Sequence, residues 1–377
     1  MNSRERVLSS VNRTGYDRIP VKHEGTPEIN RLIMDHFGLN NMDQLLRVVG
    51  DDFRYVEPVY CGPELRTFPD GSKEGYFGER YDYAEFDGGR YLESVYQPFA
   101  GVNRLEDLDR SHFPEADWFD YSTIKLQCEA LDCEYAVCCG NAGDMDFING
   151  IGRAKGMEEV LINLIDDNPV YLEIMNARSE FYIEQHRRML EAADGMIDFT
   201  HIGEDLGNQN GKMISMDIFE KHFAPKYGKY FEMAHNYGAK VILHMCGTVV
   251  DFLPRLIELG LDVFDVVQPT TPEMDIAALK ERFGDNLIFC GSVCVQSTIA
   301  WGTVEDVEKE VNRRLELFPD GGLFLGPSHA VQVGSPLENV LAMYRKAGSL
   351  CEDIDQSILD IKDTKGDVAN ITLSKLF

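Results

Sequence analysis

A histidine and a cysteine stand two residues apart in VILHMCG (241–247), where an apolar run gives way to glycine. On an extended backbone, residues two apart face the same side, so His244 and Cys246 present an imidazole and a thiol together. Nitrogen plus sulfur is a donor pair that suits Zn2+. The competing reading is a hydrogen-bonded core histidine beside a small buried cysteine. Three other strand-like segments end in polar groups. These are HIGEDLG, with His201, Glu204 and Asp205; CGSVC, with Cys290 and Cys294; and GPSHAVQ, with His329. His329 and Glu204 at two further strand ends tip the balance toward a metal. Cys290 closes an apolar run and reads as core, with Cys294 as a spare ligand. Cys138 and Cys139 are adjacent, face opposite ways on a strand and read as packing.

The elements that must position these groups follow from the apolar periodicity. Eight short apolar runs recur at 18–21, 51–56, 134–139, 195–201, 239–244, 261–268, 285–291 and 321–326. Segments with apolar residues at intervals of three and four separate the later runs, as one-faced helices require. Gly238, Gly260 and Gly284 follow three of them, where a left-handed residue ends a helix. Buried strands alternating with helices predict an α/β fold with a parallel sheet, and eight strands predict a closed (β/α)8 barrel; an open doubly wound sheet is the alternative. Barrel enzymes work at the C-terminal ends of their strands. We expect one barrel domain over 1–350. Within it, 57–125 is an insertion whose GRYLESVY alternation predicts a hairpin over one barrel mouth. The polar tail 351–377 is expected outside the core.

Composition narrows the function. The chain has 377 residues, with 64 acidic against 36 basic and a net charge of −28. That field repels phosphate backbones and argues against nucleic acid as a partner. No window approaches the ~18 apolar residues of a membrane span, and the N-terminus has no apolar signal core. A cytoplasmic location with no membrane partner is expected. Nine cysteines in a chain without an export signal read as reduced thiols or ligands. GIGRAKG (150–156) lacks the Lys-Ser/Thr ending of a phosphate loop.

GEDLGNQNGKMIS, HMCGTV, FCGSVCVQ and GPSHAVQVGSPLENVLAMY resemble the uroporphyrinogen decarboxylase superfamily, and within it the corrinoid-dependent methyltransferase branch. The likeness runs from RERVLSSVNRTGYDRIPV to about residue 349. It implies a (β/α)8 barrel and a zinc site in which His244 and Cys246 match the branch's H-x-C. The branch takes its third ligand after the last strand, commonly a cysteine; here Ser328 and His329 stand there. The implied set is His244, Cys246 and His329, with Glu204 as candidate fourth ligand. Decarboxylases of the superfamily hold substrate carboxylates with paired N-terminal arginines, which RIPVKHEGTPEINR lacks.

The resemblance further implies methyl transfer from a small-molecule donor to Co(I) of a separate corrinoid protein. The chain itself carries no D-x-H-x-x-G corrinoid motif. One thiolate with two imidazoles makes a harder site than two thiolates, which favours an O-methyl donor, first a methoxylated aromatic. Glu204 and His201 are the candidate catalytic residues, and His23, Asn141, Asp144 and Gln332 the candidate donor-binding residues. A homodimer is a candidate assembly. The alternatives are a decarboxylase, a methyltransferase of the thiol or tetrahydrofolate acceptor side, and a zinc-stabilised barrel without catalysis.

Overall fold

The computed structural model describes residues 1–86 and 88–362. Seven of the eight runs form one parallel sheet. Its strands are Phe53–Val56, Ala136–Gly140, Phe199–Gly203, Lys240–His244, Val263–Val267, Ile288–Val293 and Leu323–Pro327, neighbours in that order. The eighth run, 18–21, closes the cylinder between the last strand and the first. Val21 bridges Leu325, the Leu325 N–H donates to the Pro20 carbonyl at 2.8 Å, and the Asp52 N–H donates to Val21 at 2.9 Å. Pro20 has no N–H to offer, which keeps this contact short. The expected barrel is the one the chain forms.

Side-chain alternation sorts the interior. Phe53, Ala136, Cys138, Phe199, Ile242, Val263, Ile288, Cys290 and Phe324 form a buried cluster drawn from all seven strands. The rings of Phe53, Phe199 and Phe324 meet edge to face at 5.0–6.0 Å. Val7 and Val11 of the helix Ser3–Val11 join this cluster, and the Arg4 N–H donates to Glu134 just before the second strand. The helix therefore plugs the N-terminal end of the barrel. Cys139 packs in the other cluster, between sheet and helices, so the two adjacent cysteines do face opposite ways.

Local chemistry sets the element ends. The helix Val304–Leu317 starts on a reciprocal cap between Thr303 and Asp306. Gly260 (φ +109°) and Gly238 (φ +78°) take left-handed conformations after their helices. Gly284 departs from expectation, with φ −62°. Its glycine answers crowding instead, since a Cβ would lie 2.5 Å from the Lys280 carbonyl.

Between the first two strands, Arg80–Phe86 and Gly89–Tyr96 form an antiparallel hairpin. Val59–Tyr60 pairs with Phe119–Asp120. Tyr76, Phe77, Tyr81 and Phe119 from this region share a cavity with residues at the C-terminal strand ends, which puts it over that mouth. The start of the tail behaves differently from expectation. The Cys351 N–H donates to Val48 at 2.8 Å, Gln44 of the helix Met42–Val49 donates to the Leu359 carbonyl at 2.9 Å, and Ile358 is buried. Amide donors and one apolar side chain hold 351–362 against that helix; 363–377 lie outside the described residues.

Closure depends on Asp52, which is fully buried. Its carboxylate accepts from Arg6 at 2.6 Å, from Arg18 at 2.8 and 3.0 Å, and from the Val21 N–H at 2.8 Å. Asp52→Ala strands two guanidinium groups and is expected to lower the unfolding free energy by roughly 3–5 kcal/mol. Urea denaturation measures this, and a loss below about 1 kcal/mol would show that closure does not rest on this carboxylate.

Candidate metal centre

Two residues past the apolar layer, the same alternation turns polar groups inward. Phe53 is followed by Tyr55, Phe199 by His201, Ile242 by His244 and Val263 by Asp265. Strand register sets His244 beside Asp265 on one side and Gly203 on the other. Asp265 was not among the residues picked out from the sequence. Its one signal there was a single acid inside the apolar run VFDVV. It is 1% exposed, and its Oδ2 lies 2.9 Å from His244 Nδ1, 3.4 Å from His201 Nε2 and 3.7 Å from Lys22 Nζ. Burial pushes this carboxyl up, but the Lys22 charge and the two imidazoles outweigh it and hold the group well below the usual carboxylate range.

An ionised Asp265 accepts from His244 Nδ1 and so directs the other ring nitrogen away from itself. His244 Nε2 lies 3.4 Å from Cys246 Sγ. The chain turns at once after Cys246, through Gly247 at φ +76°, where a Cβ would sit 2.5 Å from Asn208 backbone atoms. The Gly247 N–H donates to Gln268 at 2.9 Å, and the Cys246 N–H to Asp205 at 2.9 Å. His329, in the turn after Leu323–Pro327, completes a group with His244 and Cys246 whose ligand atoms all lie within 4.8 Å of one another.

Electrostatics give this group a thiolate, and a metal that binds here displaces the protons held by its imidazoles. Burial pushes the Cys246 thiol up, but the neighbouring imidazoles of His244 and His329 more than offset that and favour the thiolate. Burial disfavours a charged His244, yet the Cys246 thiolate and Asp265 raise it well above the ordinary imidazole value. The His329 pKa is raised chiefly by its hydrogen bond to Cys246, against burial. A thiolate with two imidazoles is a donor set that fits Zn2+, and the carboxylate behind His244 is the outer partner such ligands usually have. A second group, His201, His244 and Asp265, also converges. All three of its members are buried, whereas Cys246 and His329 are half-buried and leave a face open to a substrate.

Glu204 is not in either group. Its carboxylate accepts the Phe147 N–H at 2.8 Å, the Ile148 N–H at 3.2 Å and the Tyr227 hydroxyl at 3.2 Å. Burial pushes its pKa well up. It organises the 147–148 turn rather than standing as a fourth ligand, and sequence alone could not reveal a partner more than fifty positions away.

A cavity of about 440 Å³ opens beside the cluster, lined by His23, Asn141, Asp144 and His201 among the residues anticipated to bind or act on a donor. His244, Cys246 and His329 are not in its lining; His201 and Lys22, which reach Asp265, connect the two. His201 also lies 3.0 Å from the Tyr55 hydroxyl through Nδ1. His23 has both ring nitrogens engaged, with Tyr344 at 2.5 Å and Asn30 at 2.8 Å. Asn141 and Asp144 bond each other, and Asp144 accepts from His186 Nε2 at 3.1 Å. Gln332 is turned outward, exposed, donating to the Ala330 carbonyl at 3.0 Å. It is not brought to the site.

The profile of the uroporphyrinogen decarboxylase (URO-D) family matches residues 77–349. The chain belongs to the URO-D family. Among curated proteins, it is similar to a methylated-thiol–coenzyme M methyltransferase of Methanosarcina mazei, 27% identical over 136 residues. That match spans 36% of this chain and 34% of the relative, about a third of its length. A solved structure described as a methyltransferase from Methanosarcina mazei superposes with a TM-score of 0.63 at 16% identity, covering 92% of this chain and 98% of that one. At such identity the superposition speaks for the fold alone.

Two substitutions test the cluster. His244→Ala is expected to abolish zinc retention while leaving cooperative thermal unfolding intact. Asp265→Asn keeps the ligands but removes the acceptor behind His244, and is expected to weaken zinc about 10–100-fold in chelator competition. Unchanged affinity in Asp265→Asn would remove the orienting role assigned to this carboxylate.

Proposed function

We propose that this URO-D chain is a zinc-dependent methyltransferase that moves a methyl group from an O-methyl donor, a methoxylated aromatic, to Co(I) of a separate corrinoid protein. The observation that carries the reading is the thiolate–imidazole cluster of His244, Cys246 and His329, backed by Asp265, at the mouth of a barrel beside an aromatic-walled cavity. The Methanosarcina mazei relative, a methyltransferase by name, supports methyl transfer as the reaction class.

Zn2+ held by these three residues would supply Lewis-acid polarisation of the donor oxygen, leaving a position open for it. In the transfer, the carbon–oxygen bond of the donor breaks with its electron pair remaining on oxygen, and the Co(I) pair forms the new bond to carbon. The departing oxygen then takes a proton or meets a positive charge. Lys22 is our candidate for that task, since it lines the cavity and pairs with Asp265, while His201, also on the cavity wall, flanks the same carboxylate. Burial holds the His201 imidazole low, so it rests neutral; Lys22 is held well up as an ammonium, the Asp265 charge overcoming its burial. Glu204 contributes by fixing the 147–148 turn. The aromatic walls, among them Tyr76, Phe77, Phe119 and Phe181, exclude water from the donor.

A methylated thiol as donor is the second reading, and the name of the relative favours it. The ligand set supports the O-methyl donor. His329 in place of a second thiolate raises the effective charge on the metal and favours oxygen over sulfur.

The test is visible spectroscopy of a Co(I) corrinoid protein mixed with the enzyme and a panel of methoxyarenes, methanol and methylated thiols. Methylated cobalt is expected from a methoxyarene. His329→Cys is expected to keep zinc and to slow the ether reaction at least about tenfold while sparing thioethers. Methylation from thioethers alone, or full ether activity in His329→Cys, would refute the oxygen-donor reading.

A further inference from the structure

Three cations and four carboxylates, those of Glu24, Glu57, Glu79 and Asp144, line the cavity, and the cations differ in how the protein answers them. Lys22 has the Asp265 carboxylate at 3.7 Å, and Arg153 has Asp146 at 3.7 Å. Arg178, from the long helix Pro169–Ala193, is 6% exposed and has no carboxylate oxygen within 4.0 Å among the described residues. A guanidinium offers five N–H donors. That of Arg178 makes one hydrogen bond, from Nη2 to the Gly143 carbonyl at 2.8 Å, and its Nε is buried with no partner.

The surroundings hold this group in place without satisfying it. The rings of Phe77 and Tyr182 lie 4.8 and 5.0 Å from the guanidinium carbon. Gly150, the first glycine of the GIGRAKG segment, lets the helix pass flat against it, since a Cβ there would lie 2.5 Å from Nη2. Burial pushes its pKa down, but the charges of Asp146, Glu79 and Asp144 at longer range outweigh that and hold it as a cation. Burial pushes the Glu79 carboxyl up, toward its neutral form; Tyr81 donates to one oxygen at 2.9 Å, and the other is buried without a partner. What the wall leaves unmet is the hydrogen bonding of this group, and an anion in the cavity would supply the missing acceptors.

We propose that Arg178 is the anion anchor of this cavity, and that the substrate it takes is an aromatic carrying a carboxylate. The ring would lie among Phe77, Phe181 and Tyr182, with the carboxylate on Arg178 and the opposite substituent toward His201 and Lys22. This specificity rests on the cavity being the donor site of the proposed methyltransferase, and it excludes methanol and neutral methoxyarenes as preferred donors.

Calorimetric titration of the zinc-loaded full chain, without corrinoid protein, tests the anchor apart from the reaction. The probes are para-methoxybenzoate, its uncharged analogue para-methoxybenzamide, and benzoate, which has no methyl to give. The carboxylates are expected to bind at least about tenfold more tightly than the amide, and Arg178→Gln to erase that preference while Arg178→Lys keeps part of it. Equal binding of acid and amide to the wild type, or no binding of the acid, overturns the proposal without any variant. A preference that survives in Arg178→Gln assigns the anion to another residue and also overturns it. Benzoate binding through Arg178 with no methyl transfer from any donor would sink the methyltransferase reading and leave the anchor standing. Transfer from a neutral methoxyarene with no acid preference would do the reverse.

Discussion

A carboxylate placed inside a barrel must find positive charge or donors close by, because the cost of leaving it bare is several kcal/mol. Asp265 is that carboxylate here, and Lys22, His201 and His244 converge on its Oδ2. Much of the architecture serves this meeting. The short first segment closes the cylinder and brings Lys22 in from one side. The in-register pairing of His244 with Asp265 brings the imidazole from the other. Because the Asp265 oxygen accepts at Nδ1, His244 keeps Nε2 for the Cys246 side, and the soft ligand pair of the sequence acquires a fixed orientation.

The barrel interior is stratified by the period of two that any strand imposes. Apolar rings fill the lower layer, and the residues two positions on are Tyr55, His201, His244 and Asp265. The cluster and the cavity thus share a floor but not a wall. His201 belongs to both, lining the cavity and touching Asp265. A ligand bound in the cavity would meet the His244, Cys246 and His329 cluster across this residue, with the hairpin region between the first two strands over it. In the cavity three cations, Lys22, Arg153 and Arg178, stand among four carboxylates, and Arg178 is the cation that no carboxylate meets within 4.0 Å among the described residues.

Buried parallel strands read as short apolar runs, which is why all eight segments of the barrel could be located from the sequence. The first run was visible but not its brevity, which follows from the missing N–H of Pro20. H-x-C was legible because its spacing alone puts both groups on one side. Asp265 was not, since it matters through its neighbour on the next strand, and register is a property of pairing. Lys22 escaped for the same reason. Glu204 stood in a promising place but spends its oxygens on a turn formed by Phe147 and Ile148, a contact no local pattern announces. Gln332 was read as facing the mouth, and its own Ala330 carbonyl draws it outward.

The central claim is that His244, Cys246 and His329 hold zinc over the barrel mouth. X-ray absorption at the zinc edge of the purified full chain addresses the ligand set directly. The account predicts about one zinc per chain with a single sulfur near ~2.3 Å and the remaining nitrogen or oxygen ligands near ~2.0–2.1 Å. A first shell without sulfur, or a chain that retains no zinc when supplied with it, would contradict the account.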